Sequence, residues 1–425
     1  MLTRIWESWR KNPTVKRIIL FLLFIGPGVV TGSVDNDAGG ITTYSVAGAL
    51  YGYGLLWTLL PSFVALLVVQ EMNLRMGVYT RKGLADLIRE NFGVRITALI
   101  FLGLIIADIG NTATEFAGVA GSLMIFGVSK YISVPGAAIV VWFLVTKGNY
   151  KTTERIFLLF SVCLLSYIIS AVLAKPHWKE IGAALIKPTM HFNQDYLEMV
   201  LGIIGTTIAP WMQFYMQSAV IERGTQHKEY PYALADVILG CLATVVVAFF
   251  IIVSCAATLH ENGVVIEEAK DAALALKPFA GALASEVFAF GLFVASIFSA
   301  TILPLATAFY ICEAFGFEAG IDKRVDQAPQ FYILFGFIVT VAVTIILIPN
   351  APLITITIWT QIINAILLPV VLISMIIMVN NKEIMGEHVN NKFQNAVGLG
   401  TTAVLIILTA MLIILPAIKS LRSIF

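Results

Sequence analysis

The sequence predicts an all-α polytopic membrane protein with eleven spanning helices. Three observations carry this. Of 425 residues, 59% are hydrophobic and only 12% charged, about half the charged share of a soluble domain. Apolar runs long enough to cross a bilayer recur along the whole chain. Lys and Arg gather in the short connectors between those runs, where charge meets water rather than lipid.

Span 1 covers about 17–48: apolar Ile18–Val30 and Ile41–Leu56 flank an acidic, glycine-rich interruption. Gly52-Tyr53-Gly54 turns the chain into span 2, about 53–76. Spans 3, 4 and 5 follow at about 95–124, 131–146 and 154–174, separated by basic or polar connectors. Span 6, about 196–221, contains Pro210, and span 7 runs over about 231–258. Spans 8 and 9, about 278–314 and 328–348, end at Pro349-Asn350-Ala351-Pro352, which opens span 10, about 352–379. Span 11 covers about 394–417, and residues 1–425 read as one transmembrane domain.

With the N-terminus in the cytoplasm, nineteen Lys and Arg fall inside and eight outside, so the C-terminus is expected outside. Met1–Arg17 is basic, and the apolar run after it is too long for a cleaved signal, so none is expected. Cys163, Cys241, Cys255 and Cys312 lie in apolar spans without metal-ligand spacing and read as small buried hydrophobes. Nothing suggests nucleic-acid binding or a resident cofactor; the surroundings are the lipid bilayer, and a single chain is the expected unit of function.

The interruption in span 1 reads Ser33-Val34-Asp35-Asn36-Asp37-Ala38-Gly39-Gly40. Carboxylates at membrane depth are costly and are kept for function. Unwound backbone there is tolerated only where it is buried in protein or lines a cavity. Carboxylates beside freed carbonyls make a cation site. A second interruption, Gly205-Thr206-Thr207-Ile208-Ala209-Pro210-Trp211, lies five spans later. Pro210 removes a backbone donor there. Five is odd, so the two five-span halves, about 17–174 and 196–379, would be inverted repeats. Paired broken helices in inverted repeats point to a secondary transporter with its site at the midplane.

These residues resemble the NRAMP divalent-metal transporters. The resemblance rests on Gly26-Pro27-Gly28, Asp37-Ala38-Gly39-Gly40, Ala47 through Trp57, Glu115-Phe116-Ala117-Gly118, Ala295-Ser296 through Phe315, and Gln361 to Pro369. It implies a LeuT-type fold: ten core helices in two inverted five-helix repeats, discontinuous helices 1 and 6, and an eleventh helix. The departures narrow it. The family's Asp-Pro-Gly-Asn is Asp37-Ala38-Gly39-Gly40 here, so the acid stays and the amide goes. Its Met-Pro-His is Ala209-Pro210-Trp211, a second histidine is Met216, and the first acid of its span 3 pair is Thr112, leaving Glu115. Those changes resemble the NRAMP-related magnesium transporters of prokaryotes.

A thioether rewards transition metals and gives a hard ion nothing, so Ala209 removes a filter against Mg²⁺. Gly40 and Ala209 are also expected to widen the cavity for a partly hydrated Mg²⁺. The resemblance makes Asp37 the acidic ligand, with Gln361 closing from span 10. Carbonyls of Val34 and Thr206 and the side chain of Asn364 are further candidate contacts. Asp35 matches no family acid; it either joins the aqueous path or faces a vestibule. Asp108, Thr112 and Glu115 share a helical face, which leaves a residual acid path or structural acids. The same structural role is expected for Asp236, Glu286 and Glu313.

His177, His191, His227, His260 and His388 all lie in loops or at span ends, so the proton route looks dismantled. The membrane potential suffices without it. A divalent ion gains about 4.6 kcal/mol per 100 mV, roughly a thousandfold inward gradient. The expectation is therefore Mg²⁺ uptake at the cell membrane, Mn²⁺ also accepted, uncoupled from protons, with alternating access. The rivals are a proton-coupled Mn²⁺/Fe²⁺ transporter, an amino-acid or amine transporter of the same fold, a channel, and an intramembrane aspartyl protease. The last needs facing acids, and the i, i+2 spacing of Asp35 and Asp37 is poor for sharing a proton.

Overall fold

The structure, a computed structural model, describes residues 34–147, 174–266, 282–320 and 323–422, together with Gly32, 168–169, 171–172 and Ala272. The first half of span 1, most of span 5 and Cys163 lie outside the described residues. Everything else in the predicted order is present. Helix α1 (Ala38–Tyr51) is the second half of span 1, α2 (Leu59–Thr80) is span 2 and α3 (Leu84–Met124) contains span 3. Span 4 is α4 (Lys130–Lys147). An amphipathic helix that the sequence reading did not foresee, α5 (Trp178–Ile186), lies in the connector before span 6.

Span 6 is split into α6 (Gln194–Thr207) and α7 (Pro210–Glu222). Ile208 leaves helical geometry at φ −130° and Ala209 is extended at ψ 142°. Pro210 then sits at the first position of the new helix, where its missing N–H costs nothing. Spans 7 to 11 are α8 (Tyr230–Thr258), α9 (Ala282–Phe315), α10 (Pro329–Leu347), α11 (Leu353–Val379) and α12 (Lys392–Arg422). Among the described residues, eight helical segments are long and apolar enough to cross a membrane. One boundary differs from expectation: α3 starts eleven residues early and is kinked at Gly93, φ 78°.

The packing repeats itself when each span is exchanged with the one five later. Helix α1 lies on α8, as α7 lies on α2. Helix α3 lies on α10, as α9 lies on α4. The two pairs that map onto themselves, α3 with α9 and α2 with α8, are both in contact, and the first is the most extensive in the molecule. This is the pairing two five-span repeats require, and α12 stands outside it against α11, α6 and α2.

Hydrophobicity does not drive helices together in lipid, so contact depends on close fit. Small residues supply it around the breaks. A Cβ added at Gly205 would stand 2.0 Å from the Gln361 carbonyl oxygen, so α6 meets α11 backbone to backbone. One at Gly48 would stand 2.6 Å from the Ile252 carbonyl of α8, and one at Gly118 would stand 2.4 Å from the Ala38 methyl. Gly400 of α12, by contrast, faces open space. Gly205→Leu should therefore destabilise by roughly 1–3 kcal/mol or more through overpacking. Thermal unfolding in detergent should show a lowered midpoint, and Gly400→Ala should not lower it.

Candidate metal-ion site

The break in span 1 occupies Asp35-Asn36-Asp37, and the helix restarts at Ala38. The two glycines expected to unwind it lie instead in the first turn of α1. They are there for close approach. A Cβ at Gly39 would stand 2.3 Å from Gln361 Nε2, and one at Gly40 would stand 2.8 Å from the Asp35 carbonyl oxygen. Gly40 therefore does not widen a cavity, as expected from the sequence; it lets two strands of backbone and a side chain meet.

Asp37 is the N-cap of α1: the Gly40 N–H donates to its Oδ1 at 2.6 Å. The Ala38 N–H donates to Glu115 Oε2 of α3 at 3.1 Å. Two carboxylates thus take donors that a helix N-terminus would otherwise offer to an anion. Opposite them, α6 ends at Thr207 and presents its carbonyl end, the negative end of its dipole. Tyr44 and Thr207 hydroxyls, 2.8 Å apart, tie the two half-helices together. Around the Cβ position of Gly40 stand three oxygens: the Asp35 carbonyl at 2.8 Å, Thr206 Oγ1 at 3.2 Å and Asp37 Oδ1 at 3.5 Å. The donor atoms gathered here are oxygens, the set a hard cation takes.

Span 10 reaches the site through Gln361. Its Oε1 accepts from Asn364 Nδ2 at 2.9 Å, and Asn364 and Asn111 of α3 exchange amide hydrogen bonds at 3.0 and 3.3 Å. Asn111 Nδ2 also donates to Asp108 Oδ1 at 3.2 Å. Asp108 Oδ2 accepts from Thr307 and Tyr310 of α9 at 2.8 and 2.7 Å. Asp108 is thus a bonded structural acid that ends a relay, and Thr112 only donates back to its carbonyl at 2.7 Å. Glu115 is nearer the site than the helical-face argument implied, because it reaches the restart of α1. Asn111 was missed. An amide inside an apolar span, one turn from Asp108, was the available signal.

The remaining candidates divide. The Val34 carbonyl accepts from Ser299 Oγ at 3.4 Å. Ala209 is buried at the start of α7, and its carbonyl accepts from Gln213 Nε2 at 3.1 Å. Trp211 is fully buried, its ring 6.3 Å from that of Tyr215. Asp35 faces no vestibule: it is only 2% exposed, and neither carboxylate oxygen has a hydrogen-bond partner. Glu313 accepts from Ser218 at 2.6 Å, and Glu286 is exposed. All five histidines lie outside the long helices. Among the described residues, no three His, Cys, Asp or Glu gather as a ready metal cage. An ion here would draw on carbonyl, hydroxyl and amide oxygens and on water, besides its carboxylate.

The chain is similar to proteins named divalent metal cation transporter MntH. That of Yersinia enterocolitica is 26% identical over 419 residues, 94% of this chain and 96% of that one. That of Granulibacter bethesdensis is 25% identical over 409 residues, 92% and 88% of the two chains. The crystal structure of the Eremococcus coleocola manganese transporter, in complex with an aromatic bis-isothiourea compound, has the same fold. It superimposes with a TM-score of 0.71 at 21% identity, over 91% of this chain and 85% of that one. Mhp1, a nucleobase-cation-symport-1 family transporter, shares the architecture at a TM-score of 0.59 and 11% identity, over 94% and 93%. The model of the natural resistance-associated macrophage protein-like (Nramp) family matches residues 28–415, from before the first break through the last span, and the chain belongs to that family.

Proposed function

We propose that this protein is a divalent-cation transporter that takes up Mg²⁺ across the cell membrane, as a member of the magnesium branch of its family. The ion sits between the breaks of spans 1 and 6, and alternating access carries it inward. Mn²⁺ is also accepted, protons are not coupled, the N-terminus is cytoplasmic and one chain is the working unit. The observation that carries the reading is the chemistry of the converging atoms. Asp37 Oδ1, Thr206 Oγ1 and the Asp35 carbonyl meet at Gly40, and the side chain at the start of α7 is a methyl, Ala209. Nothing there rewards a soft metal, and the α1 donors used by Asp37 and Glu115 are lost to a substrate carboxylate. The names of the relatives support a divalent ion.

Asp37 binds the ion, and Gln361, held by Asn364 and Asn111, approaches from span 10. A strongly hydrated ion keeps waters in such a site. The tryptophan at 211 and the absence of histidine from the long helices leave no imidazole to carry protons near the site.

Uptake into proteoliposomes with an inward-negative potential tests the reading. Mn²⁺ entry should be saturable, blocked by excess Mg²⁺, and free of internal acidification. Rejection of Mg²⁺ together with proton entry favours the proton-coupled Mn²⁺/Fe²⁺ rival, for which the buried Glu115 beside Ala38 is the structural argument. Asp37→Ala should reduce uptake to background, and near-normal Mg²⁺ uptake in that variant rejects the site. Ala209→Met restores a soft ligand and should raise the Mn²⁺ over Mg²⁺ preference about tenfold, or ~1.4 kcal/mol, read by competition in the same vesicles.

A further inference from the structure

We infer that the ion path contains a second cation station, built from Asp35 and Gln70 on the far side of the span 1 break from Gly40. The inference rests on the uptake reading above and extends it. Its starting point is an unsolved electrostatic problem. Asp35 is 2% exposed, and both of its carboxylate oxygens lack a hydrogen-bond partner. The hydroxyl of Thr244 in α8 lies beside it, but its single proton goes to the Gly32 carbonyl at 2.9 Å. Asn36 also donates to that carbonyl, at 3.3 Å, and its own Oδ1 is left without a partner. An isolated buried carboxylate is expensive unless it is paired, coordinates a metal or takes up a proton. Lys and Arg are absent from residues 34–74, 96–129, 188–222, 283–322 and 353–381, and Arg75 of α2 is held by Glu71, Asn390 and the carbonyls of His388 and Val389.

A second observation, on a different helix, points to the same place. Gln70 of α2 is 3% exposed, and neither its amide oxygen nor its amide nitrogen has a partner. With Gly32, Thr244, Cys241 and Met212 it lines a void of about 10 Å³. That is the room one water-sized particle needs. Thr244 and Gly32 belong both to the surroundings of Asp35 and to the wall of this void, so the two unsatisfied groups share one neighbourhood. The candidate ligands are the Asp35 carboxylate, Gln70 Oε1, Asn36 Oδ1, Thr244 Oγ1 and the Gly32 carbonyl, all oxygens. Water satisfies the amides, and the carboxyl takes either a cation or a proton.

The position suits an ion in transit. Gln70 is about 15 Å along α2 from Thr80, and Cys241 about 16 Å along α8 from Tyr230. Both helix ends adjoin the basic connectors at Arg81-Lys82 and Lys228. The void therefore lies near the middle of α2 and nearer the Tyr230 end of α8. Asp37 and Asp35 stand two residues apart in a non-helical segment, so an ion can pass from one carboxylate to the other without leaving oxygen ligands.

Mn²⁺ anomalous diffraction from crystals of the full chain, with calorimetric stoichiometry, tests this. Wild type should show two Mn²⁺ positions, one at Asp37 and one beside Asp35 and Gln70. Asp35→Asn should abolish the second alone, lower the stoichiometry from two to one, keep Mn²⁺ affinity at Asp37 within about threefold, and slow uptake about tenfold. Gln70→Leu, which leaves span 1 untouched, should also lower the stoichiometry if Asp35→Asn fails to fold. A single Mn²⁺ at Asp37 in wild type, a water alone in the void, or unchanged uptake in both variants overturns the second station and leaves the uptake reading standing. No Mn²⁺ at Asp37 in wild type overturns the uptake reading itself.

Discussion

The structure turns on the restart of one helix inside the membrane. Helix α1 begins at Ala38 with N–H groups that have no intrahelical partner, and no water at that depth can be assumed to satisfy them. Asp37 and Glu115 satisfy two of them with carboxylates. The solution is local and strong, because a charged acceptor at a helix N-terminus gains from both hydrogen bond and dipole. It also creates a debt of charge. Asp37 and Glu115 crowd one helix end, Asp35 adds a third carboxyl nearby, and no Lys or Arg occurs in residues 34–74 or 96–129. Backbone saturation and cation demand have the same cause.

The packing follows from keeping that arrangement tight. Gln361 can stand against the first turn of α1 only because position 39 has no side chain, and α11 can come close enough to deliver it only because position 205 has none. The relay from Gln361 through Asn364 and Asn111 to Asp108 joins spans 10, 3 and 8 with hydrogen bonds whose ends are all buried. Such a relay is rigid when fully satisfied. The site therefore contrasts with its own surroundings: the span 10 side is saturated, while Asp35, Gln70 and Asn36 on the other side retain unsatisfied atoms. An ion bound as proposed would meet a braced wall on one side and unfilled oxygens on the other.

Much of this was legible in the sequence, for physical reasons. Spanning helices declare themselves by length and hydropathy, and Pro210 and the acids at 35 and 37 are too costly in lipid to be incidental. The repeat followed from the spacing of two breaks, and the helix pairs bear it out. What was not legible depended on which residue from a distant span comes within 3 Å. Gly40 looks like lost bulk in a one-dimensional comparison, yet a backbone carbonyl fills that space. Glu115 looks like a neighbour of Asp108 on one helical face, yet one acid turns to α1 and the other to α9. Asn111 passes for a polar residue in a helix until Asn364 stands opposite it. The kink at Gly93 leaves no mark on span hydropathy, and the helix Trp178–Ile186, though amphipathic, has only nine residues and does not stand out as a span.

The balance of charge also bears on how such a transporter could run without protons. A divalent ion bound at the break as proposed would balance the charge of its carboxylate ligands. The bilayer potential drives it inward with about 4.6 kcal/mol per 100 mV. A deep well at Asp37 would waste that drive, since an ion bound too tightly leaves slowly. Ligands without thioether or imidazole make the well shallower for every transition metal and leave it adequate for a hard ion that retains water. Loss of the soft ligands and the uncoupled cycle proposed above thus fit together physically. A weakly held, partly hydrated ion drawn by voltage needs no second driving ion to release it.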